Sequence, residues 1–196
     1  FDVDYWRKIK LKVLTPNFEK NLKLKLPTLK FYLIVSRLEP YKKVDFVIEL
    51  FNQLGWSLVV VGEGSMKDRL KKAAKRNITF LSNLDDQELS WLYTKAQALI
   101  MAQEEDFGYV ALESQFFGCP VIAYGKGGAK ETVIENKTGI FFYEQKKKSF
   151  LAALERFRMI SYNLKKTTEK WGEKNVDKFD KNKFIKKIQS VLHRLL

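Results

Sequence analysis

Six short apolar runs, each followed by a segment of helical or loop character, constrain this chain more than any other feature of its sequence. They are 31–36 (FYLIVS), 57–61 (SLVVV), Ile78–Leu81, 98–101, 121–123 and Gly139–Phe142. Uninterrupted runs of this kind, without polar alternation, predict strands covered on both faces. The segments between them carry the marks of helices. Val44–Leu54 places Val44, Val47, Ile48 and Phe51 at helical spacing and stops at Gly55, a C-terminal signal. Residues 66–76 form a charged helix, and Asp85 caps Asp86–Lys95, with Glu88 completing a capping box. Strands separated by such helices build right-handed βαβ units. The expected class is therefore α/β, a Rossmann-like doubly wound parallel sheet of about six strands. Ligands of these sheets collect beyond the C-terminal strand edges, where Arg37, Gly62, Ser82, Glu105 and Gly127 all fall.

Residues 30–145 make up this unit, with 1–29 expected as a linker or edge segment and 146–196 as C-terminal helices. In the first segment, 8–13 (KIKLKV) and 22–26 (LKLKL) alternate apolar and Lys residues and predict two short exposed strands. Asp2-Val3-Asp4 has the spacing of a metal-binding Asp-x-Asp, a match too short to outweigh the order of the other motifs. Helical spacing recurs at 149–158, 161–174 and 181–196, the last basic and carrying Phe184, Ile185, Ile188, Val191, Leu192 and Leu195.

Composition removes several chemistries. With one cysteine, Cys119, internal disulfides and paired-thiolate zinc cages are out of reach. The one histidine, His193, lies in the terminal basic helix, so Ser/His/Asp and Cys/His mechanisms lack their base. Apolar runs fall far short of the ~20 residues that cross a bilayer. The formal charge of +13 suits anionic partners, among them phosphorylated small molecules and an acidic membrane face, and equally suits a plain Lys-rich surface. No zinc-finger or RNP motif is present, and no nucleic-acid partner is expected.

The most informative stretch is 104–133 (EEDFGYVALESQFFGCPVIAYGKGGAKETV). Glu105 stands on a loop before Phe107-Gly108, and Glu113 follows eight positions later on a helical stripe shared with Val110 and Phe117. An inward carboxylate needs a partner, because leaving it unpaired costs roughly 1–3 kcal/mol or more. That partner is either a structural one, ionic or backbone, or a ligand hydroxyl. The neighbouring loop carboxylate and glycine turns favour the ligand.

Glu105 through Glu113, with Phe107-Gly108, Gly118-x-Pro120-Val121-Ile122 and Gly127-Gly128-x-x-Glu131, resembles the E-x7-E pattern of retaining glycosyltransferases of family 4. SRLEPYKKVD (36–45) is similar to that family's Arg-Leu-x-x-x-Lys loop. The wording lies nearest the mannosyltransferase branch. The resemblance implies half of a two-domain GT-B enzyme, the donor-binding half, cut from a longer polypeptide at the boundary where FDVDYW enters. It implies a nucleotide-sugar donor, GDP-mannose or a UDP-sugar, no cofactor and no metal. The other expected partners are a glycan or lipid-linked acceptor and an N-terminal acceptor-binding domain. The expected location is a reducing cytoplasm, with a peripheral place at the inner membrane face as an option.

By the same resemblance, Arg37 and Lys42 neutralise the departing diphosphate and Glu105 holds donor-sugar hydroxyls. Phe107 and Gly108, with Tyr109 and Val110 beyond, offer backbone N–H groups, and Glu113 accepts from the ribose. The base lies near Leu81, Ser82 and Leu84, and Gly62 and Gly64 let the second loop approach the donor. Ala102-Gln103 and Lys130 depart from the usual wording; neither touches the core motif, and Lys130 is placed to alter donor contacts. The terminal helix packs towards the first domain or onto this domain's own sheet. Two other readings stand beside this one. A dinucleotide enzyme or nucleotide sensor is weakened because GEGSMK (62–67) lacks the third glycine and follows the second strand. A basic nucleic-acid or membrane adaptor remains the other.

Overall fold

The computed structural model describes residues 1–15, 26–28 and 30–195. Six strands, β1 (Tyr32–Val35), β2 (Leu58–Val61), β3 (Ile78–Leu81), β4 (Leu99–Met101), β5 (Val121–Tyr124) and β6 (Gly139–Phe142), form one sheet in the order β3-β2-β1-β4-β5-β6. Every pairing is parallel, and Leu33 sits opposite both Val59 and Leu99. This is the expected doubly wound sheet. Its strand order reverses direction between β1 and β4, so the loops leaving those two strands diverge and open a crevice.

Successive strand residues feed two cores, as a pleated strand requires. Leu33, Val59, Leu99 and Val121 enter one with α1 (Val3–Val13), α4 (Asp86–Lys95) and α5 (Tyr109–Phe116). Ile34, Val60, Ile100 and Ile122 enter the other. That second core is completed by α2 (Val44–Leu54), Leu70 of α3 (Lys67–Ala73) and the first half of α7 (Lys147–Val176). Both faces are thus covered, which explains the unbroken apolar runs.

Two readings of the ends need correction. Residues 8–13 form no exposed strand; they are the second half of α1. Val3, Trp6, Ile9 and Val13 are buried on one face, whereas Leu11, which alternation would pair with Ile9 and Val13, is 74% exposed. Asp2 caps the helix by accepting from Tyr5 N, and Asp4 opens it while Lys10 and Lys12 close it, matching the helix dipole. The period-2 run was therefore a fragment of a longer 3.6-residue pattern. Of the second alternating run, 22–25 lie outside the described residues.

The predicted pair 149–158 and 161–174 is one helix, α7, of 30 residues. No Gly or Pro interrupts 159–161, and the buried face passes from Phe150, Leu154 and Phe157 to Leu164, Thr168, Gly172 and Asn175. Gly172 has a contact reason for being glycine: a Cβ there would stand 2.0 Å from the Gln115 carbonyl oxygen. A short helix, α6 (Ala129–Thr132), follows the second glycine loop, and α8 (Lys181–Leu195) ends the chain with Phe184, Ile185, Ile188, Val191 and Leu192 exposed. The described side chains of α8 are all exposed, so none of them packs on this domain's sheet. His193 is exposed on it.

Candidate functional site

The crevice between β1 and β4 is built from two loops. The first, after β1, turns through a short 3-10 segment, Pro40–Lys42, and starts α2 from Lys43, which adopts left-handed backbone at φ 56°. It carries both expected cations. Lys42 Nζ forms an ion pair with Glu105 Oε1 across the crevice, the two side chains only 12% and 21% exposed. Arg37 is exposed and donates to the Tyr41 hydroxyl. Tyr41 also presents its ring to Arg37 at 5.8 Å and to Lys42 at 5.0 Å, so one aromatic ring attracts both charges. Tyr41 was missed in the sequence, although its place between Arg37 and Lys42 was a usable sign.

The loop after β2 is tied to this one by backbone. Leu38 N donates to the Glu63 carbonyl at 2.7 Å, and Glu39 accepts from Ser65 N and Oγ at 3.0 and 2.6 Å. Those bonds from Ser65 hold the Glu39 carboxyl below its usual range. A Cβ at Gly62 would stand 1.9 Å from the Ser36 carbonyl oxygen. The approach of loop to loop is thus enough to require glycine at Gly62. Gly62 N donates to the Leu81 carbonyl at 3.1 Å, and Ser82 Oγ lies 3.5 Å from Lys67 Nζ. Leu84 packs its half-buried side chain against the core of α1, α4 and α5.

The loop after β4 carries Glu105. Its carboxylate accepts from Gln103 Nε2 at 2.6 Å as well as from Lys42. Gln103 is buried, at 6% exposure, and the expectation that the Ala102-Gln103 departure leaves the motif untouched is therefore corrected. The second glycine loop clamps the same segment: Gly128 N donates to the Glu105 carbonyl at 2.6 Å, and Glu105 and Gly127 form a parallel bridge. Cβ atoms at Gly127 and Gly128 would each come within 2.4 Å of a carbonyl oxygen of that loop. Phe107 packs its ring 5.0 Å from Tyr109 and 5.6 Å from Phe179.

Gly108, at φ 86°, begins α5 with no side-chain cap. The uncapped start leaves first-turn N–H groups, those of Tyr109 and Val110 among them, to an outside acceptor. Tyr109 itself is exposed and Val110 half-buried.

Glu113 lies one turn further along α5 and meets neither cation. Its Oε2 accepts from the Tyr93 hydroxyl at 2.9 Å. Burial pushes the carboxyl up to about 7; the Tyr93 bond opposes that and nearby Asp86 adds to it. The structural partner weighed for Glu113 is thus a buried tyrosine of α4, neither a cation nor backbone. Cys119 is fully buried, its thiol pushed up to about 11 by burial, which makes it a core residue and no nucleophile. Asp2 serves as a helix cap, and Asp4 pairs with Arg7 at 3.3 Å.

The site is an open ledge with Arg37, Tyr41 and Tyr109 at its surface. Half-open hollows lie elsewhere: one of about 510 Å³ between α2 and α3, lined by Phe46, Asn52 and Arg69, and one of about 550 Å³ by Trp56, Gln97 and Arg158.

Comparison with known proteins adds a family to this geometry. The family described as "Glycosyl transferases group 1" matches residues 17–178. An alpha-1,3/1,6-mannosyltransferase of Dictyostelium discoideum is 27% identical over 88% of this chain and 47% of its own length. Among solved structures, sucrose-phosphate synthase from Thermosynechococcus elongatus superposes with a TM-score of 0.75 at 23% identity, over 94% of this chain and 50% of that one. The Anabaena protein HepE in complex with UDP-glucose superposes at 0.74 and 18% identity, over 99% of this chain and 56% of that one. These two likenesses show the fold. The chain spans about half the length of each of the three.

Proposed function

The chain belongs to the group 1 glycosyl transferases, and on that premise we propose that it is the donor-binding half of a retaining, metal-independent hexosyltransferase. The donor is a nucleotide sugar, GDP-mannose as the first choice, and the acceptor a glycan or a lipid-linked sugar. The observation that carries this is the ion pair Lys42–Glu105 across the crevice. It brings a cation suited to phosphate and a carboxylate suited to sugar hydroxyls to one point. The relative from Dictyostelium named as a mannosyltransferase and the Anabaena structure holding UDP-glucose support the substrate class.

In this reading the diphosphate lies against Arg37 and Lys42, with the N–H groups after Gly108 on its oxygens. A unit charge pair at ~4 Å is worth about 4 kcal/mol at an effective dielectric near 20, against ~0.3–2 kcal/mol from a helix terminus. The two side chains therefore dominate. A diphosphate competes with Glu105 for Lys42, so donor binding opens the ion pair and frees the carboxylate for sugar hydroxyls, with Gln103 still donating to Oε1, the oxygen that Lys42 leaves.

The bond from sugar C1 to the phosphate oxygen then breaks, and the acceptor hydroxyl oxygen bonds C1 from the same face. The departing phosphate takes the acceptor's proton. No protein nucleophile takes part, in keeping with a site of cations and carboxylates. The acceptor is held by a second domain, and this half alone binds donor without turnover.

Calorimetric titration of the chain with GDP, UDP and ADP tests the reading. Saturable one-to-one binding is expected, tightest for GDP. Absence of binding for all three would overturn the donor-site assignment, and a preference for UDP would overturn GDP-mannose alone.

A further inference from the structure

Tyr93 lies outside every motif named above, yet its hydroxyl reaches into the candidate site. It is 0% exposed on α4, with its ring stacked on Phe117 at 6.2 Å and 12° between planes. A buried tyrosine hydroxyl must find a partner, and this one donates to Glu113 Oε2 at 2.9 Å. The bond occupies one carboxylate oxygen and, among the described residues, leaves the other for a ligand. We propose that Tyr93 is a positioning residue: it fixes the rotamer and charge state of Glu113 so that the free carboxylate oxygen meets the vicinal hydroxyls of a ribose. The proposal rests on the reading of Glu113 as the ribose contact and adds the group that makes that contact work.

The surroundings of Glu113 explain why such a group is needed. Asp86 of α4 lies close enough to disfavour its charge, and Asp86 is itself bonded by the Tyr5 hydroxyl of α1. Lys10 of α1 directs its ammonium to the Phe116 carbonyl at 2.7 Å. Beside Tyr93 stands the neutral, buried thiol of Cys119. Lys165 of α7 is spent on the Thr94 and Ala96 carbonyls at 3.3 and 3.4 Å. No cation is paired with Glu113 among the described residues. Tyr93 is the group that favours its ionised form, against burial that holds the carboxyl near neutrality.

The full chain is titrated with UDP and GDP and with their 2′,3′-dideoxy counterparts between pH 6 and 8.5, as parent, Tyr93→Phe and Glu113→Ala. The parent should favour the ribose form by about tenfold, the usual cost of leaving one buried acceptor unpaired, and more strongly as pH rises and Glu113 ionises. Glu113→Ala should abolish the preference. Tyr93→Phe keeps the stacked ring and should lose most of the preference near pH 7, regain part of it at a higher midpoint, and bind the dideoxy compounds as the parent does.

If Tyr93→Phe retains the parent's preference and midpoint while Glu113→Ala loses them, Tyr93 is a packing residue and the proposal is overturned. If Glu113→Ala also keeps the preference, the ribose role of Glu113 falls and takes the proposal with it. Failure of the parent to bind either nucleotide overturns the donor-site reading itself.

Discussion

Glu113 and Gln103 show how single side chains set the chemistry of this ledge. In the folded chain the Glu113 carboxyl is raised from 4.5 to about 7 by burial, so the folded state holds this proton more tightly than the unfolded chain. The contribution to stability is full below about pH 4.5 and declines as pH rises to about 7, by roughly 3 kcal/mol at most. Urea midpoints at pH 5 and pH 8 should therefore fall further for the parent than for Glu113→Gln. Equal falls would show that Glu113 is not desolvated. Gln103 acts on the other carboxylate. Gln103→Ala removes the 2.6 Å bond to Glu105 and should weaken a nucleotide sugar by about fivefold, one hydrogen bond of about 1 kcal/mol. The bare nucleoside diphosphate should be unaffected, and calorimetry that finds both ligands weakened alike would place Gln103 elsewhere. Neither Tyr93 nor Gln103 could be read as functional from the sequence, because a tyrosine within a helix and an amide on the loop just after β4 look like ordinary core and loop residues.

At the scale of elements, the glycine loop before α6 illustrates a role visible only in three dimensions. Its sequence reads as a turn that opens a helix. In the fold it is also the surface on which the Glu105 loop rests, through the 2.6 Å bond from Gly128 N to the Glu105 carbonyl. Gly128 has ordinary helical backbone at φ −60°, so conformation does not demand glycine there; space does, since a Cβ would meet Asp106 O at 2.4 Å and Phe107 Cα at 2.6 Å. Gly128→Ala should cost roughly 1–3 kcal/mol by overpacking and displace Glu105, lowering both the melting temperature and donor affinity. A variant that melts and binds as the parent does would contradict the clamp. The sheet elements were legible because doubly covered strands leave unbroken apolar runs. The α1 segment was not: its Lys-apolar alternation satisfies a strand pattern over 8–13, and only Val3 and Trp6, buried upstream, reveal the longer period. Residues 159–161 misled in the opposite direction, since a change of buried face along α7 looks like a break between helices.

At the scale of the molecule, a six-stranded parallel sheet places the loops of β1 and β4 on either side of its switch point, and an ion pair joins them there. The meeting of the β1 and β4 loops, which pairs Lys42 with Glu105, was readable from the order of motifs along the chain. The side-chain arrangement was not: Tyr41 stands between Arg37 and Lys42 in the sequence, but only the fold shows its ring beside both cations. Among the described residues, the apolar row of α8 stays exposed. The most direct measurement is a crystal structure of the chain with a bound nucleoside diphosphate. The diphosphate is expected against Arg37 and Lys42 with the Lys42–Glu105 pair opened and the ribose at Glu113, whereas a nucleotide seated in the hollow by Phe46 and Arg69, with that pair intact, would contradict the account.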